Sequence, residues 1–255
     1  MCDCKCPHAN EWSYNDQSNW PSYRNFYSIL RTPININTLN VIQDINKIQI
    51  HYSNNQNTHY IPNDKFTEYE CLDNSSYLIY DGKKYILEQF HFHNSSENTK
   101  NNIYYPLECH FVHSYYDEIN LQTNLLVISL LMKVSKINGS DLTHNIVENF
   151  DKDVVFDLSQ YNKLTNNRYY QFIGTTTTPP FIPNVTWNLF FYDDITNDIN
   201  FNILEKDYKN YLKFFSNNKS NYLAYDNENR QSQPLQNNFI SIKEINLQNN
   251  IYNNH

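Results

Sequence analysis

The sequence predicts a mainly β fold of the α+β class, in a single domain with helices in the minority. Several runs alternate between apolar and polar residues, as strands with one buried face do. The most apolar run, NLLVISLLMKV at Asn124–Val134, has the length of a strand and is too short to span a membrane. At 255 residues, the chain can bury a large core and still fit one sheet-rich domain.

The first strands are predicted at Ile48–Tyr52, Tyr77–Tyr80 and Tyr85–Phe92, which all alternate. Asp81-Gly82 separates the last two runs, and this dipeptide is a strong signal for a two-residue hairpin turn. Asn124–Val134 does not alternate and is predicted to be a central strand that is fully buried.

Two stretches have helical spacing, Leu142–Asn149 and Leu204–Phe215, and both are predicted to be surface helices. In the second, apolar residues recur at intervals of three and four. The Asn-rich tracts Asn54–Asn57 and Asn217–Asn221 are interpreted as solvated loops with a biased composition.

The segment QFHFHNSSENTKNNIYYPLECHFVH, from Gln89 to His113, carries the candidate functional site. Side chains two apart on a strand point the same way, so His91 and His93 can share one metal ion. His110, on the following strand-like run, completes a trio if the two strands lie side by side. Three neutral imidazoles leave one tetrahedral position of Zn²⁺ open, which is typical of a catalytic zinc site.

Gln89 and Glu108 each precede a candidate ligand by two residues and therefore lie on the same face of the strand. An amide oxygen or a carboxylate placed there can accept the outer N–H of a histidine ring and fix its tautomer. The alternative is an aromatic-rich strand pair whose histidines are merely satisfied by hydrogen bonds. The metal site is favoured, because three histidines occur together with two acceptors, Gln89 and Glu108, on the same strand faces.

The charge balance excludes some function classes. A net charge of −8 and a pI near 5.5 argue against general affinity for nucleic acid or for anionic membranes. The sequence shows no apolar run of membrane-spanning length and no signal-peptide core, so a cytoplasmic location is expected. An odd total of five cysteines also favours a reducing compartment over a secreted disulfide framework.

Residues 1–10 are predicted to be a flexible Cys-rich tail ahead of a domain at 11–255. A metal or redox role for the tail is the alternative, although its spacing lacks the two to four residues usual for zinc. Its candidate ligands are Cys2, Cys4, Cys6 and His8.

Three blocks resemble the alpha-class carbonic anhydrases. QFHFH and the later ECHFVH match the family's ligand strands, and GTTTTPPFIPNVTW at Gly174–Trp187 matches its G-S-L-T-T-P-P…V-T-W segment. The opening Trp12-Ser-Tyr14, with Trp20, is similar to the family's W-x-Y…W. The resemblance runs in order from about Glu11 to Ile242. It implies a single domain around a large, twisted, mostly antiparallel central sheet with a few short surface helices.

The resemblance also implies the chemistry, which is reversible hydration of CO₂ to bicarbonate and a proton. One Zn²⁺ per chain is held by His91, His93 and His110, and zinc-bound hydroxide is the nucleophile. The Thr177 hydroxyl accepts a hydrogen bond from the nucleophile and donates its own hydrogen to Glu97. Thr178 faces bicarbonate. The apolar wall for CO₂ is assigned to Val112, Val127, Val185 and Trp187.

Departures from the family pattern carry their own expectations. Thr176 replaces the usual leucine and predicts a smaller, more polar side of the CO₂ pocket. The link from His93 to Glu97 is shorter than in the family. Asn98 stands in place of a usual histidine.

Proton transfer to bulk solvent is expected to be slow. Fast relatives use a histidine at the cavity mouth, whereas Lys65 is the nearest equivalent in the matching segment Asn63–Phe66. His59 is the rival relay, with an exposed loop position as the alternative interpretation. Tyr14 matches a tyrosine near the zinc solvent network.

A second function class remains at this point, a binding or attachment module on the same fold. Some viral surface relatives have lost metal ligands and bind glycosaminoglycan. Retention of all three histidines and the acidic balance favour the enzyme. The expected partner is the small-molecule substrate, the expected state is a monomer, and virion association is expected only if the chain is viral.

Overall fold

The computed structural model describes residues 32–38, 41–44, 48–62, 67–195, 198–218 and 240–243. The predicted tail at 1–10 lies outside these ranges. Within them the chain forms a 13-stranded sheet and a 2-stranded sheet. The strands are β1 (Asn35–Ile36), β2 (Val41–Asp44), β3 (Gln49–His51), β4 (Gln56–Ile61), β5 (Thr67–Cys71), β6 (Tyr77–Tyr80), β7 (Lys83–His93), β8 (Thr99–Lys100), β9 (Leu107–Asp117), β10 (Gln122–Ser135), β11 (Val155–Phe156), β12 (Tyr169–Thr175), β13 (Pro183–Phe191), β14 (Asn202–Leu204) and β15 (Ile240–Lys243).

The main path of the large sheet runs β11-β4-β5-β7-β9-β10-β13-β12-β15-β2, and most neighbours are antiparallel. The parallel pairs of this sheet are β10 with β13, β10 with β14, and β15 with β2. The separate small sheet pairs β1 with β8. The prediction of a large, mostly antiparallel central sheet is confirmed.

The predicted hairpin at Asp81-Gly82 is also confirmed, because Tyr80 pairs with Lys83 across the turn between β6 and β7. Asp81 has φ 50° and Gly82 has φ 71°. Two positive φ values in succession match the type I′ turn, which glycine and aspartate adopt at low cost.

β10 lies at the centre of the sheet, between β9 and β13. Its even-numbered residues Leu126, Ile128 and Leu130 pack into the larger hydrophobic cluster. Val127 and Leu131 point the other way, into a second cluster. Burial on both faces explains why this strand is continuously apolar rather than alternating.

Two α-helices follow the predicted positions closely: α1 spans Asp141–Glu148 and α2 spans Glu205–Asn218. Ser140 caps α1, because its hydroxyl accepts a hydrogen bond from the Thr143 N–H at 3.2 Å. Within the described ranges, no helix is long and apolar enough to cross a membrane. Short 3-10 helices lie at Ser159–Asn166, Tyr192–Asp194 and Ile199–Phe201.

The interpretation of Asn54–Asn57 as a solvated loop is wrong for its second half. β4 begins at Gln56, whose side chain is fully buried. The Gln56 amide donates to the Asp73 carboxylate at 3.2 Å, so burial costs it little. Asn217 and Asn218 likewise end α2 rather than beginning a loop, while residues 219–221 lie outside the described ranges.

Gly139 has no room for a side chain. A Cβ built there would lie 2.6 Å from the backbone nitrogen of Leu204, at the point where β14 joins α2. Gly139→Ala is therefore expected to destabilise the fold by about 1–3 kcal/mol, the usual cost of overpacking a filled site. Urea unfolding checks this, with Gly82→Ala as the control that is strained by its φ alone. Equal stability of Gly139→Ala and wild type would contradict the close approach.

His113 is fully buried, and each of its two ring nitrogens makes a hydrogen bond. Its Nδ1 donates to the Leu126 carbonyl at 3.1 Å, which leaves Nε2 to accept from the Tyr52 hydroxyl at 2.8 Å. Burial lowers the pKa of His113 to about 3, although the backbone contact with Leu126 opposes the shift. The folded state therefore holds this histidine neutral.

His113 should make the fold sensitive to acid. An unfolded histidine titrates near about 6.5, so the unfolded chain binds the extra proton first and stability falls as the pH drops from about 6.5 towards 3. His113→Gln keeps a donor and an acceptor but does not titrate. Urea midpoints measured from pH 7 to pH 4 should fall less steeply in this variant than in wild type. Parallel slopes would show that His113 is not responsible.

Candidate active site

The three candidate ligands converge because β7 and β9 are antiparallel neighbours. His91 lies directly opposite His110 in the register, and His93 follows on the same face of β7. All three side chains are buried. Their ring centroids lie 4.8 to 5.0 Å apart. One ligand atom from each ring lies within 4.8 Å of the others, so the trio could hold a metal ion.

Hydrogen bonds set the tautomers of two rings. His91 Nδ1 lies 2.8 Å from the Gln89 amide oxygen, and His110 Nε2 lies 2.8 Å from a Glu108 carboxylate oxygen. Both oxygens only accept, so these nitrogens carry the protons. The remaining lone pairs, on His91 Nε2 and His110 Nδ1, face each other at 3.1 Å. Two ligands on a tetrahedral zinc ion would lie about 3.3 Å apart, so this donor set fits a shared cation.

The environment favours the neutral form of His91 and His93, which is the form that binds metal. Burial, followed by the neighbouring His110 ring, lowers the pKa of both His91 and His93 well below the ordinary value.

Glu108 is the centre of the polar network beneath the histidines. Besides His110, its carboxylate accepts from the Asn98 amide at 2.7 Å and the Ser129 hydroxyl at 2.5 Å. The backbone N–H groups of Glu97 and Asn98 donate to its other oxygen at 2.7 and 2.9 Å. Burial alone would raise the pKa of Glu108, but the His110 ring and these side-chain donors outweigh burial and lower it to about 2.

Asn98 and Ser129 were not among the predicted site residues. A signal existed for Asn98, because it stands where the family usually has a histidine, directly after the predicted site residue Glu97. Its amide oxygen also accepts the Ile34 N–H at 3.0 Å, which joins β1 to the site. Ser129 lies in an apolar run, and only its register opposite His110 shows its role.

Glu97 lies beside the histidines despite the short link before it. Its side chain is fully buried, and one carboxylate oxygen lies 3.4 Å from His93 Nε2. The bond from its N–H to Glu108 holds this part of the loop. Thr177 is also buried, at 6 % exposure. The contact from Glu97 to Thr177 stays a prediction.

An apolar row lies next to the histidines on the same face of the sheet. Val112 pairs with Val127, and Val127 pairs with Trp187, so the three form a line across β9, β10 and β13. Each lies two residues from the row that contains His110 and Ser129. The Trp187 ring lies 5.0 Å from the His110 ring. Val185, two residues before Trp187, is fully buried in the same cluster.

The four threonines begin at the last residue of β12 and continue into the turn between β12 and β13. Trp187 Nε1 donates to the Thr175 carbonyl at 2.9 Å and ties the turn to the sheet. The Thr176 hydroxyl donates to the Thr178 carbonyl at 3.0 Å and accepts from the Ile182 N–H at 2.9 Å. These bonds within the turn engage the hydroxyl that was expected to make the pocket more polar.

Helix α2 braces the end of the ligand strand. The Tyr208 hydroxyl donates to the Asn94 side chain at 2.9 Å, and the Tyr211 hydroxyl donates to the Phe92 carbonyl at 3.4 Å. Helical spacing predicted a surface helix over this stretch, but not these contacts.

Two predicted site residues, Tyr14 and Lys65, lie outside the described ranges. The rival relay His59 is on β4, half exposed, and its Nδ1 lies 2.8 Å from the Asp153 carboxylate. It is therefore a strand residue hydrogen-bonded to a carboxylate, not a loop residue.

Comparisons with known proteins agree with this geometry. The carbonic anhydrase of Pectobacterium atrosepticum is 29% identical over 188 residues, which cover 69% of this chain and 74% of that protein. The carbonic anhydrase of Neisseria gonorrhoeae is 37% identical over 114 residues, 43% of each chain.

Solved structures show the same fold. A hyperthermostable carbonic anhydrase from a hydrothermal vent chimney superposes with a TM-score of 0.65 at 26% identity, over 85% of this chain and 89% of that one. The alpha-carbonic anhydrase of Thermovibrio ammonificans, in complex with sulfanilamide, also gives 0.65, at 24% identity over 83% and 86%. The attachment-module alternative is not favoured by these relatives. The model of the eukaryotic-type carbonic anhydrases matches residues 15–244, and the chain belongs to that family.

Proposed function

We propose that this protein is a zinc enzyme that reversibly hydrates CO₂ to bicarbonate and a proton. The observation that carries the proposal is the pair of lone pairs on His91 Nε2 and His110 Nδ1, held 3.1 Å apart by fixed partners. Two lone pairs at that distance repel unless a proton or a metal cation lies between them, and burial, which lowers the pKa of His91, disfavours the extra proton on that ring. Family membership supplies the reaction class.

Three imidazoles suit Zn²⁺ and leave a position for water. When bound, zinc would lower the pKa of that water to about 7 and make hydroxide available at neutral pH. Gln89 and Glu108 orient two of the ligand rings and, by accepting their N–H groups, make them better donors.

The remaining residues aim the reaction. The Thr177 hydroxyl accepts a hydrogen bond from the attacking oxygen and donates its own to Glu97, so the oxygen presents a lone pair to carbon. Thr178 receives bicarbonate. CO₂ rests against the apolar row of Val112, Val127 and Trp187, with Val185 beneath it, because an uncharged substrate needs no polar partner. Thr176, in the place of a leucine, shortens one side of this wall.

The experiment that tests the proposal measures zinc content and CO₂ hydration on the same preparation. We expect one zinc at the three histidines and hydration well above the uncatalysed rate in a stopped-flow assay. Chelation should remove activity, and added Zn²⁺ should restore it. A zinc-loaded protein with no hydration activity would overturn the proposal.

Slow proton release is the kinetic part of the proposal. Lysine near 10.4 accepts a proton readily but releases it slowly, and its mismatch with zinc water near 7 is about three pKa units. Lys65→His should therefore raise kcat, as should added imidazole buffer in wild type, while kcat/KM changes little. Stopped-flow assays at several buffer concentrations check this.

His59→Ala is the matched control for the relay. Its Nδ1 is engaged with Asp153, so we expect no change in kcat. A high kcat in weak buffer that collapses in His59→Ala would place the relay at His59 and overturn the role of Lys65.

A further inference from the structure

A second group of metal-binding side chains lies where α1 meets α2, apart from the three histidines. His144 and Glu148 are four residues apart on α1 and share one face of that helix. Asp207, in the first turn of α2, lies against His144. One ligand atom from each of the three lies within 4.8 Å of the other two.

Asp207 is the unusual member of this group. Its side chain is 4 % exposed, whereas that of His144 is 55 % exposed. His144 Nδ1 lies 3.1 Å from the Asp207 carboxylate, and in the described part of the chain this is the one hydrogen bond or ion pair of Asp207. A buried carboxylate is costly unless its charge is well compensated. A cation shared with His144 and Glu148 would supply that charge, whereas His144 alone supplies it only when protonated.

The donor set selects the class of ion. One imidazole with two carboxylates suits Zn²⁺ and neighbouring transition metals, whereas Mg²⁺ and Ca²⁺ prefer oxygen ligands alone. The 3.1 Å between His144 Nδ1 and Asp207 is close to the roughly 3.3 Å between two ligands of a tetrahedral zinc ion. Glu148 is exposed, so its side chain can rotate to close the remaining distance.

We propose that His144, Glu148 and Asp207 form a second divalent-metal site of the zinc class, which clips α1 to α2. Water completes the coordination, as the exposed side of the cluster allows. The clip acts on the helix that braces the ligand strand, since Asp207 immediately precedes Tyr208 and Tyr208 bonds to Asn94 beside His93. The ion is therefore a structural support for the active site and takes no part in the reaction.

The test counts zinc bound per folded chain by equilibrium dialysis against micromolar Zn²⁺. His144→Ala should bind one zinc fewer than wild type and retain the ion of the three histidines. His110→Ala should retain the clip zinc, and His110→Ala/His144→Ala should lose both. Zinc should raise the melting temperature of His110→Ala and have less effect on the double variant. Any zinc bound by the Cys-rich tail is the same in every variant, so it does not affect the difference in zinc content between them.

His59→Ala is the matched control, because His59 forms the same kind of pair with Asp153 but belongs to no three-ligand group in the described residues. Its zinc content should equal that of wild type. Equal zinc in wild type and His144→Ala would overturn the clip and leave His144 and Asp207 as a hydrogen-bonded pair only. Glu148→Gln provides a second measure, since it should weaken zinc binding without disturbing that pair. Failure of the catalytic site would appear separately, as unchanged zinc in His110→Ala.

Discussion

Replacing His110 by alanine should abolish CO₂ hydration and remove the metal held by the three histidines while the sheet stays folded. Two imidazoles cannot hold zinc in its tetrahedral geometry, and His110 supplies the lone pair that faces His91 Nε2 at 3.1 Å. Removing the His110 ring also leaves Glu108 without a ligand to orient, although its carboxylate keeps its backbone and side-chain donors. Metal analysis and stopped-flow assays measure both effects, and circular dichroism checks the fold.

The matched control is His51→Ala, which removes an exposed histidine on β3 that stacks on Tyr77. Zinc content and activity should stay at the wild-type level in this variant. If His110→Ala kept its full hydration activity, the assignment of the metal centre to β7 and β9 would be wrong.

Thr177→Ala should lower kcat/KM by roughly 10- to 1,000-fold with the metal retained, because one well-placed hydrogen-bonding group in a catalytic site is typically worth a few kcal/mol. Glu97→Gln should have a similar effect, since an amide can donate to the threonine hydroxyl and reverse its orientation. The double variant should be little worse than either single variant, as expected for residues that act as a unit.

Thr186→Ala is the control for the threonine variants. Thr186 neighbours Trp187 on β13 and therefore points to the opposite face of the sheet, away from the histidines. The hydration activity of Thr186→Ala should equal that of wild type. An unchanged rate in Glu97→Gln would show that the short link before Glu97 holds its carboxylate out of reach of Thr177.

Much of this site could be predicted because strand periodicity is simple. Spacing of two placed His91 and His93 on one face, and the same rule put Gln89 and Glu108 where their hydrogen bonds are found. β10 was predicted as a central strand because burial on both faces leaves a continuous apolar run.

Other contacts depend on the register between distant strands, which spacing along the chain does not reveal. Ser129 reaches Glu108 only because β10 pairs with β9 at one particular offset. Thr176 was expected to make one side of the pocket smaller and more polar, and spacing alone did not reveal that the turn engages its hydroxyl in two hydrogen bonds. Gln56 was assigned to a loop because its neighbours are asparagines, and burial of its side chain with a hydrogen bond to Asp73 overrides that local preference.

The network around Glu108 also links separate parts of the chain at a single side chain. This one carboxylate joins the loop at Glu97 and Asn98 to β10 through Ser129, and Asn98 in turn holds Ile34. Each of these partners is a group of the protein itself, and they come from distant parts of the chain. The charge of one carboxylate thereby couples the orientation of the His110 ring to the packing of the loop, of β10 and of the segment that precedes β1.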